Sequence, residues 1–154
     1  MTITIDQLAE ALSQAMETMA FMTAEPVQEE MIIPDRTLLV EMTYRGPYQG
    51  YIQIVSGLEF GRMIASNIGC LDDPDEQSVQ DAYKEVCNVT CGLLLPKLSG
   101  STADVFDISI PALTAADQAP AWESYVSQDN VSILNIEGLA VAVKLSIEPA
   151  STNS

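Results

Sequence analysis

The sequence predicts an α+β fold in which two long helices pack on an antiparallel β-sheet. Two observations predict it. Apolar residues recur at helical spacing over residues 5–22 and again over 77–95, while period-two alternation bounded by turn residues fills the stretches between and after them. Long helices interrupted by hairpins, not by single strands, favour a sheet with helices on one face. At 154 residues and 47% hydrophobic content the chain is long enough for one domain with its own core. That domain is expected over residues 1–148, with a frayed tail over 149–154.

The first helix is expected over residues 5–22, with Thr2 or Thr4 near its start and Pro26 beyond its end. Leu8, Leu12, Ala15, Met19 and Met22 form its apolar stripe, and Met16, Met19 and Met22 are read as adaptable core. Residues 38–44 and 51–56 read as a hairpin turned by Arg45-Gly46-Pro47. A short helix over 58–68 ends at Gly69, and the acidic stretch 70–76 lacks the spacing and glycine of a calcium-binding loop, so it reads as a solvated connection. The second long helix runs over 77–95 and is expected to stop at Pro96. Residues 97–101 then lead into a strand over 104–110, where Phe106, Ile108 and Ile110 alternate with Asp107 and Ser109. The last third reads as three strands, 123–127, 131–136 and 139–147. Leu139, Val141, Val143, Leu145 and Ile147 face one way in the final strand, and Ala142, Lys144 and Ser146 the other.

Charge narrows the function. Six Lys and Arg against 22 Asp and Glu give a net charge of −16, which disfavours nucleic acid and anionic membrane as partners. No apolar run approaches the length of a membrane span, and the first cation is Arg36, which argues against a signal peptide. Cys70, Cys87 and Cys91 have no zinc spacing and the chain has no His, so no metal site is expected. The simple expectation is a cytoplasmic, reduced protein.

The stretch most informative about function is Asp81-x3-Glu85-x2-Asn88, followed after 22 residues by Pro111. Offsets of four and three stack Asp81, Glu85 and Asn88 turn over turn on one helix stripe, with Gly92 continuing it. Val79, Val86, Thr90 and Leu93 lie roughly opposite, so the helix buries its back and offers a carboxylate and an amide to a partner. Cys87 and Cys91, on its flank, read as buried small hydrophobes, with Lys84 the only nearby group able to lower a thiol pKa. Trp122 and Tyr125 read as core or dimer-interface residues.

The pattern (Asp/Ser)-x3-Glu-x2-Asn-x22-Pro resembles the signature of the CheC/CheX/FliY family of bacterial chemotaxis phosphatases, and all four positions match. Proline occupies about one position in twenty, so Pro111 sharpens the match about twenty-fold. The resemblance implies a CheC/CheX-like fold with pseudo-symmetric halves. Ser13-x3-Glu17-x2-Ala20 in the first helix repeats the spacing without the Asn, and the residue 23 after Ala20 is Thr43 where Pro is needed. One complete site is the arrangement of CheX-type members, which are homodimers.

The resemblance also implies the chemistry. The substrate would be the aspartyl phosphate of a CheY-type receiver domain, with Mg²⁺ held by that partner and no cofactor bound by this chain. Glu85 and Asn88 are the catalytic candidates, Glu85 pairing with a receiver lysine and Asn88 fixing a water. Asp81 and Gly92 are assigned to partner binding and Pro111 to support of the site. The alternative is a non-catalytic receiver-binding adaptor or flagellar-switch component on the same fold.

Overall fold

A helix followed by a hairpin occurs twice along the chain, and the two copies share one sheet. The structure, a computed structural model, describes residues 5–98, 106–114 and 118–149. Helix α1 (Ile5–Ala15) continues into a π-helical turn (Met16–Ala20), followed by β1 (Ala24–Glu25) and the hairpin of β2 (Thr37–Arg45) and β3 (Tyr48–Gly57). Helix α2 (Leu58–Gly69) leads to α3 (Glu76–Leu98), then to β4 (Asp107–Ile108), β5 (Ala112–Thr114), the short α4 (Trp122–Val126), and the hairpin of β6 (Val131–Ile136) and β7 (Leu139–Pro149).

The sheet order is β1-β6-β7-β3-β2-β4, with β5 also on β2. Strands β3 and β7 pair antiparallel at its centre, so the two hairpins meet with pseudo-twofold symmetry. Each half then lends its edge segment to the other: β1 pairs with β6, and β4 and β5 pair with β2. The β6–β7 turn holds Glu137 and Gly138 at φ 51° and 91°, the left-handed pair that a two-residue hairpin loop requires.

Strand alternation divides the core into two layers. Val40, Met42, Ile52, Ile54, Val141, Val143 and Leu145 face Leu8, Leu12, Met16, Phe60, Ile64, Val86 and Leu94 of the helices. On the other face Leu39, Val55, Ala140 and Ala142 receive Trp122 and Tyr125, both core residues, and the Tyr125 hydroxyl donates to Gln53 Oε1 at 2.9 Å.

Several sequence expectations are corrected. Residues 123–127 are not a strand. Residues 123–126 belong to α4, with Ser127 just beyond its end, and Trp122 and Tyr125, three apart, share the face that covers the small side chains Ala140 and Ala142. The first helix is α-helical only to Ala15. Its next turn is wider, Thr18 Oγ1 donates back to the Gln14 and Ala15 carbonyls at the junction, and Phe21 ends it in the left-handed conformation. Helix α2 runs through Gly69, and Cys70 at φ 53° takes the left-handed position beyond it. Helix α3 passes Pro96 to Leu98, because a proline in the last turn forgoes one ladder bond, to Gly92, out of a 23-residue helix. Pro149 pairs with Tyr48 within β7, so the final strand outlasts the expected boundary. Thr2, Thr4, residues 99–105 and the tail from 150 lie outside the described residues.

Candidate functional site

Helix α3 is fixed about its axis by what it buries. Asp75 precedes it, and its carboxylate accepts the Ser78 N–H at 2.8 Å, an N-terminal cap. Hydrogen bonds from Ser78 hold the Asp75 carboxyl below the usual carboxylate range. Val79, Ala82, Tyr83, Val86, Cys87, Thr90, Cys91 and Leu94 are buried. Tyr83 shares a 2.7 Å hydrogen bond with Ser56 Oγ of β3, tying the helix to the sheet. At Gly61 of α2 an added Cβ would lie 2.8 Å from Val79 Cγ1, so glycine permits the close approach of α2 to α3.

With that face inward, Asp81, Glu85 and Asn88 are exposed on the opposite side. They line an open groove of about 480 Å³, and its other wall is Ile108, Ser109, Ile110 and Pro111, with Lys84 beside them. The structure thus brings together Asp81, Glu85, Asn88 and Pro111, which are 30 positions apart at their extremes in the chain. Asp81 Oδ1 accepts from Gln77 Nε2 at 2.8 Å, which orients its carboxylate along the helix. Gly92 is exposed but does not line the groove. A Cβ there would meet nothing within 4 Å, so packing within this chain does not require glycine.

The far wall is a β-bulge. Register runs Tyr44↔Ile108 in β4 and Glu41↔Ala112 in β5, so Met42 and Thr43 of β2 face three residues, Ser109, Ile110 and Pro111. Ser109 pins the bulge, its N–H donating to the Thr43 carbonyl at 3.0 Å and its Oγ accepting the Thr43 N–H at 2.9 Å. The continuous strand expected over 104–110 is therefore broken after Ile108, and its alternation fails: Phe106 packs edge-on against Tyr44, but Ile110 is 84% exposed. Proline, with no N–H for a ladder, suits this position.

Cys87 and Cys91 are buried as expected. Burial raises both thiols, Cys91 to about 11, so neither is an activated thiolate. Of the first-helix counterparts, Glu17 is exposed but Ala20, the last residue of the π-helical turn, is fully buried.

Sequence reasoning missed the groove roles of Lys84, Ser109 and Ile110. A signal for the last two existed: an apolar alternation running directly into proline, where a regular strand cannot continue.

These features define a CheC/CheX-like α+β protein, and solved structures share the fold. CheX from Desulfovibrio desulfuricans superimposes with a TM-score of 0.71 at 17% identity, covering 93% of this chain and 97% of that one. CheX of Borrelia burgdorferi, solved as a CheX–CheY–BeF₃–Mg²⁺ complex, gives 0.62 at 20% identity over 95% and 98%. A CheC-like protein from a Shewanella species gives 0.62 at 19% over 96% and 99%. Residues 38–134, more than half of the chain, match the family described as chemotaxis phosphatase CheX, and the chain belongs to that family. No curated protein matches it in sequence. No helix among the described residues is long and apolar enough to cross a membrane.

Proposed function

We propose that this protein is a phosphatase that hydrolyses the aspartyl phosphate of a CheY-type response regulator in chemotaxis signalling. The observation that carries this reading is the convergence of Glu85, Asn88 and Pro111 on one solvent-open groove. An open groove with an exposed carboxylate and amide suits a reacting group carried on another protein's surface.

An acyl phosphate is already activated, so catalysis needs positioning and charge management more than a protein nucleophile. The Asn88 carboxamide accepts from and donates to one water, and so holds it in line with the scissile bond without titrating near neutral pH. The water oxygen bonds to phosphorus as the bond from phosphorus to the aspartyl oxygen breaks. The receiver regains its carboxylate, inorganic phosphate leaves, and the proton of the water passes to the phosphate. Glu85, one turn earlier, pairs with a lysine of the receiver and anchors α3 over the phosphate. Asp81 contributes to docking at the next turn. Gly92 lets the partner backbone approach the end of the stripe, and Pro111 holds the bulged wall. Mg²⁺ is carried by the receiver, where it screens phosphate charge.

By the same family resemblance the protein acts in the cytoplasm as a homodimer, which light scattering on the purified chain checks. The reaction is tested by following decay of the aspartyl phosphate on a CheY-type receiver from the same genome, with this protein and with Asn88→Ala. Acceleration abolished by the substitution supports the reading. Binding without acceleration across the available receivers would replace it with the adaptor or switch-component reading.

A further inference from the structure

Positive charge is scarce in this chain, and half of it is gathered in one place. Six Lys and Arg stand against 22 Asp and Glu, yet Arg36, Arg62 and Lys84 all line a cavity of about 600 Å³. Its 13 lining residues, under a tenth of the chain, hold three of the six cations. Separate elements supply them: Arg36 immediately precedes β2, Arg62 lies on α2 and Lys84 on α3. Among the described residues, no ion pair or side-chain hydrogen bond engages any of the three, despite the surplus of carboxylates in the chain. Glu76 is the one acid in the lining, and the floor is apolar, with Leu38, Val79 and Leu113.

The cavity adjoins the groove of Glu85 and Asn88, because Lys84 lines both. That position bears on an electrostatic difficulty. A phosphorylated aspartate with the carboxylates that hold its Mg²⁺ is an acidic target, and a protein of net charge −16 is repelled from it at long range. Screening limits that repulsion to about 8 Å at physiological salt, so local cations decide the last approach. Guanidinium groups grip carboxylates through paired hydrogen bonds, and the apolar floor fits an uncharged side chain flanking the acid.

We propose that the Arg36, Arg62 and Lys84 cavity is a second docking surface, which receives an acidic segment of the receiver beside its phosphorylation site. This rests on the receiver reading above and adds to it the element that overcomes the charge of the chain. Lys84 lines both surfaces, so an acid seated in the cavity adds affinity beside α3, while Glu85 and Asn88 set the helix over the phosphate.

The test measures affinity for a CheY-type receiver from the same genome, loaded with beryllofluoride and Mg²⁺, alongside turnover of the phosphorylated form. Arg36→Glu and Arg62→Glu are compared with Lys144→Glu, which makes the same change in net charge at a residue lining neither the cavity nor the groove. Arg36 and Arg62 are exposed, so folding is not at stake. Each arginine variant is expected to weaken binding about tenfold at low salt. The gap should close at high salt, kcat at saturating receiver should stay within about twofold, and Lys144→Glu should bind like the unaltered protein. Equal weakening by all three variants, or by none, overturns the second docking surface. Tight binding by the unaltered protein without turnover removes the phosphatase reading while the affinities still decide this one. No binding at all overturns both.

Discussion

Helices α1 and α3 carry the same residue spacing, Ser13-x3-Glu17-x2-Ala20 and Asp81-x3-Glu85-x2-Asn88, and present it in different ways. Helix α3 is α-helical throughout, so offsets of four and three keep its three polar residues on one exposed stripe. In the first half the last two positions fall in a π-helical turn, which advances less per residue and carries Ala20 into the core. The Ala20 carbonyl accepts from Asn67 Nδ2 at 2.9 Å, so even its backbone is engaged inward. The edge segments differ as well. The one following α3 is β4 and β5 with the bulge between them, whereas the one following α1 is the two-residue β1. Among the described residues, an exposed polar stripe faces a wall across a groove in the second half, and the first half lacks both the full stripe and the wall.

Thr43 makes the same point. Counting 23 residues from Ala20 reaches Thr43 in place of proline, yet the connections in the two halves differ in length. Thr43 is in fact the residue of β2 that Ser109 grips, and so it supports the wall of the groove.

The comparison is tested most severely by Asn88→Ala. Turnover should fall about a hundred-fold or more, equivalent to roughly 2.7 kcal/mol of transition-state stabilisation, while affinity for the phosphorylated receiver largely survives. Glu85→Ala should lower both affinity and turnover, and unchanged affinity in a titration would remove its docking role. Ala20→Asn would complete the sequence motif in the first half. Because Ala20 is fully buried, it should cost about 1–3 kcal/mol in chemical denaturation and add no activity; a gain in turnover would show that α1 needs only the missing amide. The buried back of α3 is probed by thiol alkylation. Cys91 is fully buried and burial raises its thiol to about 11, so it should resist labelling at pH 8 in the folded protein while exposed Cys70 reacts readily. Rapid labelling of Cys91 at pH 8 in the folded protein would mean that α3 lifts from the sheet. Glu17→Ala should change stability by less than about 0.5 kcal/mol and leave activity intact, and any loss of turnover would assign a role to α1.

Much of this architecture was legible in the chain because it depends on local periodicity. The hairpin of β2 and β3, the faces of β7 and the polar stripe of α3 each follow from alternation or helical spacing that a short segment enforces on its own. The four signature positions of the site were readable for the same reason, as offsets along one helix and one later proline. Where a local signal competed with packing, the tertiary structure decided. Trp122 to Val126 has strand-like composition but caps a patch of alanines as a helix, and Pro96 is tolerated because α3 is already secured along its length. The bulge that exposes Ile110 depends on pairing with β2, more than 60 positions earlier, and no window of sequence contains both partners. The gathering of Arg36, Arg62 and Lys84 around one cavity is likewise a product of topology. Within regular helices and strands, the sequence by itself determined which residues share a face. Which faces meet was decided only by the fold, because burial and strand pairing act between segments far apart in the chain.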